Sequence, residues 1–257
     1  MDEPAMNTFC NRGTMPDKGD PYRHHPRLRG KIISPETLRF RSLDLSDIDA
    51  QMRAQGLPDN WRRTDAERDA CRKNTLQAHW GGDIWIFAYG SLMWDPAFHF
   101  SEVRRTHLSG YHRRFCLRSE VARGTPDCPG LMAGLDLGGT CNGLVFRVDA
   151  DKLETESRFI WRREMLLGSY VPEFLTLTTK QGPVEAMAFV VNRDNPMLLP
   201  SLSLEETARR IAHAEGYLGP NIDYLENLAA SFELLELEDE ELFRLRDLAR
   251  RFRAART

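Results

Sequence analysis

One carboxylate in this chain stands where a carboxylate is costly. On a helix over residues 151–167, Glu164 has Ile160 and Trp161 one turn before it and Leu167 one turn after, which puts it on the apolar stripe. Removing a charged carboxylate from water is unfavourable unless it is paired or protonated. Desolvation also moves its pKa up, toward values useful for proton transfer. Two readings stand side by side: a general acid/base, or a salt-bridged glutamate at the stripe's edge with Arg163 or Arg118 as partner. A second feature is Tyr89-Gly90-Ser91-Leu92-Met93-Trp94, at the end of the apolar run Ile84-Trp85-Ile86-Phe87-Ala88. Gly90 lets backbone approach a ligand, and a turn at a strand end exposes consecutive N–H groups able to hold an anion or a carbonyl oxygen. By spacing alone a plain strand-to-loop transition that happens to expose a serine is the commoner reading.

A third feature is the arginine-rich stretch His112-Arg113-Arg114-Phe115-Cys116-Leu117-Arg118. On a regular strand Arg114, Cys116 and Arg118 share one face, with Arg113, Phe115 and Leu117 on the other. One arginine could clamp a substrate carboxylate, but the solvated face of an antiparallel sheet is the commoner reason for such charges. Other chemistries lack their residues. No Gly-x-Ser-x-Gly elbow, Gly-x-x-x-x-Gly-Lys loop, Gly-x-Gly-x-x-Gly or His-Glu-x-x-His occurs. The five cysteines are scattered, with no Cys-x-x-Cys pair, so neither a disulfide framework nor a zinc site is expected. The expectation is a protein without metal or cofactor, its thiols reduced in the cytoplasm.

The elements that position these residues follow from pattern. With 41% hydrophobic residues in 257, the chain has enough apolar material for a sizeable core. Lys and Arg (35) nearly balance Asp and Glu (38), and no basic stretch suggests nucleic-acid binding. No apolar run reaches the ~20 residues of a membrane span, and the start of the chain lacks a secretory pattern. Residues 1–80 read as an N-terminal extension, disordered over about the first 27 and then helical; residues 81–257 read as the main domain, ending in helices. After the strand at 84–88, three hairpins are expected: 103–109 with 111–119 around Ser109-Gly110, 131–137 with 143–148 around Gly138-Gly139, and 174–179 with 184–191 around Gly182. Ser203-x-x-Glu206 opens the helical end of the chain in the form of a capping box. Strands followed by helices predict an α+β fold rather than a doubly wound parallel sheet.

Taken together and in order, these residues resemble the ChaC-type γ-glutamylcyclotransferases. The resemblance covers roughly residues 83–228. It rests on the 85–94 segment, Arg113-Arg114-Phe115, Arg123-Gly124-Thr125-Pro126 with Pro129-Gly130, Arg163-Glu164 ahead of Gly168-x-Tyr170, Asp194-Asn195-Pro196, and Asn221-x-x-Tyr224-Leu225. It implies a small mixed or antiparallel β-barrel with flanking helices. It also implies cofactor-free cleavage of glutathione, a small-molecule substrate, to 5-oxoproline and cysteinylglycine. In such an enzyme Glu164 matches the catalytic glutamate. The loop carrying Tyr89, Gly90, Ser91, Leu92, Met93 and Trp94 matches the γ-glutamyl cradle, and Tyr224 matches a tyrosine near the pocket. The first 80 residues have no counterpart, and Pro200 stands where many relatives have Gly-Pro. Two alternatives remain: an enzyme of the same fold acting on other γ-glutamyl peptides or amines, and a non-catalytic binding or regulatory protein. Glu164 argues against the latter, because a binding protein has no need of a carboxylate on an apolar stripe.

Overall fold

Five strands close into a barrel: β1 (Ile84–Ala88), β2 (Glu102–Ser119), β3 (Gly130–Val148), β4 (Tyr170–Thr179) and β5 (Gly182–Val191), in the order β1-β3-β2-β4-β5. Neighbours are antiparallel, and closure comes from parallel pairing of β5 with β1 (Ile86 opposite Met187) and with β3. The fold is thus the mixed β-barrel with flanking helices expected from the sequence. The computed structural model describes residues 19–37, 41, 44–54 and 56–255.

Two of the three expected hairpins are instead single long strands. At Gly110 (φ +87) the register slips: Ser109 pairs with Thr140 and Tyr111 with Leu137, so one residue of β2 faces two of β3 and the bulge lies in β3. Opposite it lie Gly138 and Gly139, also at positive φ, so both strands bend at one place without ending. The glycines that suggested turns are therefore bends in a two-stranded ribbon. Only the third hairpin, β4–β5, turns back, through Lys180-Gln181.

The apolar run in β1 is buried on both faces. Ile84, Ile86 and Ala88 join a large cluster shared with the helices. Phe87 joins Leu108, Leu135, Val145, Leu177 and Ala188, a cluster drawn from all five strands and from no helix, which is the barrel interior. Around the barrel lie α1 (Leu45–Ala54), α2 (Asp65–Thr75), α3 (Leu153–Glu164), α4 (Leu204–His213), α5 (Asn221–Leu234) and α6 (Glu240–Ala254). Ser203 caps α4 by accepting the Glu206 N–H, but Glu206 turns to Arg210, so that box is half made; Thr64 and Glu67 form a complete one on α2. Among the described residues no helix is long and apolar enough to cross a membrane.

Residues 1–18 of the expected disordered tail, with Cys10, lie outside the described residues. Residues 19–27 differ from that expectation, because polar side chains tie them to the barrel. His25 Nε2 accepts the Arg105 N–H (2.9 Å), His24 and Arg23 pair with the buried Glu102, and Leu28 is buried just beyond.

Candidate active site

Helix α3 stops at Glu164. Its cap is Met165, whose N–H donates to Trp161 O (3.0 Å), and Gly168 at φ +67 then turns the chain into β4. The helix is shorter than periodicity suggested, so Leu167 leaves the stripe and is 38% exposed, whereas Ile160 and Trp161 are buried as expected. The Glu164 side chain retains 13% exposure, a narrow opening to solvent. Burial pushes its pKa up, against the lowering effect of Arg163, and Asp95 adds to the rise. A position at the carboxyl end of a helix dipole disfavours an anion in the same direction. Arg163 Nε lies 3.2 Å from the Glu164 carboxylate and its Nη1 3.0 Å from Asp95. Glu164 is therefore both salt-bridged, with Arg163 rather than Arg118 as its partner, and desolvated. Arg118 is elsewhere, paired with Glu120.

Three buried phenols feel the charge of this carboxylate. Tyr89, at the end of β1, donates to Phe189 O (2.6 Å), and Tyr170, at the start of β4, donates to Ala133 O (3.0 Å). Tyr224, on α5, receives a backbone hydrogen bond from Ala133. Burial raises all three pKa values, that of Tyr224 to about 12, and the charge of Glu164 raises each further. All three remain protonated donors at neutral pH.

The 89–94 loop lies against Tyr224. Ser91–Met93 form a short helical turn whose own hydrogen bonds engage the N–H groups of Met93, Trp94 and Asp95. The N–H groups of Ser91 and Leu92, at its start, are not used by the turn. Leu92 and Met93 send their side chains into the core, leaving only backbone to face a ligand; Ser91 and Trp94 are half-buried, and Trp94 packs edge-on against the Tyr224 ring at 5.5 Å. A Cβ on Gly90 would lie 2.8 Å from the Tyr224 hydroxyl. Gly90→Ala should therefore displace Tyr224 or the loop, lowering kcat/KM at least about tenfold while costing ~1–3 kcal/mol of stability for the overpacking. Steady-state kinetics and thermal melts of the variant check both figures.

The arginine stretch does not form a solvated face. A register shift between Phe115 and Leu117 breaks the alternation and buries Phe115, Cys116 and Leu117 together. Arg113 is 4% exposed, donates to Tyr89 O (3.2 Å) and pairs with Asp239 at the start of α6, anchoring the loop. Arg114 is held by Asp136. Asn221 acts as a surrogate strand, its side chain bonding both the N–H (2.7 Å) and the O (2.9 Å) of Leu131. Cys116 is buried and its thiol is pushed up to about 11, as for a packing residue. Among the described residues no group of three or more His, Cys, Asp and Glu could hold a metal. Tyr170 has no role among the residues expected from the sequence. Its position two residues beyond Gly168 was the available signal, since the turn that ends α3 brings the start of β4 beside Glu164.

Comparison with known proteins gives one answer. A glutathione-specific γ-glutamylcyclotransferase of Escherichia coli (strain K12) is 39% identical over 162 residues, 63% of this chain and 70% of that protein. Glutathione-specific γ-glutamylcyclotransferase 1 of Homo sapiens is 32% identical over 166 residues, covering 62% and 75%. The crystal structure of a yeast γ-glutamyl cyclotransferase specific to glutathione superposes with a TM-score of 0.62 at 19% identity, over 68% of this chain and 99% of that one, and shares its fold. The family model for ChaC-like proteins matches residues 84–252, from β1 into α6, and the chain belongs to that family.

Proposed function

We propose that this protein is a γ-glutamylcyclotransferase that cleaves glutathione to 5-oxoproline and cysteinylglycine, with Glu164 carrying the proton. The reading is carried by the desolvated Glu164 carboxylate at the end of α3, among three protonated phenols. The named activities of the E. coli and human relatives support glutathione as the substrate.

The substrate's α-amine is the nucleophile. Its nitrogen bonds to the γ-carbonyl carbon, the amide C–N bond to cysteine breaks, and the five-membered ring closes. Glu164 takes a proton from the ammonium and passes it to the departing cysteinyl nitrogen, and a second proton moves the same way as the ring nitrogen becomes an amide N–H, so the cysteinyl amine leaves as an ammonium and atoms balance without water. Holding amine and carbonyl together supplies up to ~7–11 kcal/mol in well-oriented cases. Donors aimed at the developing oxyanion are worth ~3–4 kcal/mol each. The Ser91 and Leu92 N–H groups and the Tyr224 O–H are the donors we assign to the γ-glutamyl group. We place the reaction in the reducing cytoplasm, in keeping with the free thiols of Cys71, Cys116, Cys128 and Cys141.

Incubation with glutathione should yield 5-oxoproline and cysteinylglycine in equal amounts by mass spectrometry, undiminished by exhaustive chelation. An absence of 5-oxoproline would refute the assignment. Activity lost to chelation and restored by a divalent metal would refute the carboxylate-only mechanism.

A further inference from the structure

The described residues before the matched region reach both halves of the site. The Ile33 N–H donates to Trp94 O (2.8 Å), at the end of the 89–94 loop. The Arg63 N–H donates to Leu166 O (2.9 Å), two residues beyond Glu164. Leu166 packs with Leu45, Ile48 and Met52 of α1. Helix α2 is fastened to α3 by Arg72, which is 1% exposed and donates to Glu154 (2.9 and 3.1 Å) and to Ser157 (3.0 Å).

Arg41 joins the two halves directly. Its guanidinium grips Glu156 of α3 with both arms, Nη1 to Oε2 at 2.6 Å and Nη2 to Oε1 at 3.2 Å, and Nη1 also donates to Ala97 O at 3.1 Å. Glu156, 4% exposed, in turn accepts the His99 N–H (2.9 Å). Ala97 sits at φ +62, a conformation that a residue with a Cβ keeps only when its surroundings hold it. Arg41 also stacks on Phe159, with its guanidinium carbon 3.8 Å from the ring centre. One planar, permanently charged fork therefore fixes the helix that ends in Glu164 to the chain leaving the loop.

We propose that the described residues preceding the barrel act as a brace that sets the spacing between the 89–94 loop and Glu164, with Arg41 as its positioning residue. Its catalytic consequence rests on the reaction proposed above; its mechanical consequence does not. Ring closure demands a near-attack pose in which a 1 Å misplacement can cost about 10²-fold. Loss of the Arg41 fork should therefore act on turnover more than on binding.

The test uses the full chain carrying Arg41→Met, with Arg41→Lys as the milder variant should the first fail to fold. Hydrogen exchange should quicken in residues 89–94 and in residues 165–170 together. With glutathione, kcat should fall about tenfold or more while KM moves less than about twofold. Exchange unchanged in either segment, or full kcat in a variant whose two segments have loosened, would overturn the brace. If the wild-type chain makes no 5-oxoproline, the proposed reaction fails, and the exchange measurement still decides the brace.

Discussion

Glu164→Gln leaves a folded protein whose turnover of glutathione falls by ~10²–10⁴-fold, the range typical for loss of a general acid/base. Glutamine keeps the volume and the hydrogen-bonding reach toward Arg163 but cannot accept the ammonium proton. The linked effect on stability has a definite sign. Burial raises the folded-state pKa of Glu164 above its ordinary value, so the charged form is the one the fold disfavours. Its contribution to stability is therefore most favourable at low pH and is lost as pH rises from the ordinary glutamate value through the raised one. At neutral pH the glutamine variant should thus melt no lower than wild type. Arg163, which loses its carboxylate partner but keeps Asp95, limits any gain. The same shift predicts that wild-type kcat/KM falls on the acid side with a midpoint above the ordinary glutamate pKa of ~4.3, because the base form must be present to take the proton. A variant that kept more than about a tenth of wild-type activity would assign the proton transfer to another group.

The fold class and the odd placement of one carboxylate are legible in the sequence, whereas the strand bounds are not. Glu164 stands out because a carboxylate on an apolar stripe breaks the pattern around it, which helical spacing alone makes visible. Gly90 at a strand end points to a close approach of backbone without saying to what, and a Cβ there would lie 2.8 Å from the Tyr224 hydroxyl. The long strands were not legible. A glycine at positive φ marks a bulge as readily as a turn, and only the coincidence of Gly110 with Gly138-Gly139 across the ribbon separates the two, a pairing that requires the register. The faces of β2 were misplaced for a related reason, since one register slip inverts the alternation on which the face assignment rests. Nor could the sequence reveal the tie between Arg41 and Glu156, because residues 115 positions apart leave no local pattern. Tyr170 lay between these cases. Its motif was visible, but its proximity to Glu164 depends on α3 ending at Glu164 and on the turn at Gly168.

The second large effect concerns the substrate. If the α-amine is the nucleophile, acetylating it should abolish turnover, because the amide lone pair is delocalised and no ammonium remains for Glu164 to deprotonate. Water competes in any site with an opening, so cyclisation prevails only while the amine is held ~3–3.5 Å from the γ-carbonyl. A hydrolase built on the same carboxylate would treat the two substrates differently, releasing glutamate from glutathione and retaining activity on the acetylated form. The most direct measurement is mass spectrometry of the products from glutathione and from N-acetyl-glutathione, run side by side with the full chain. The account predicts 5-oxoproline without free glutamate from the first and no cleavage of the second. Glutamate as the primary product, or ready cleavage of the acetylated substrate, would contradict it.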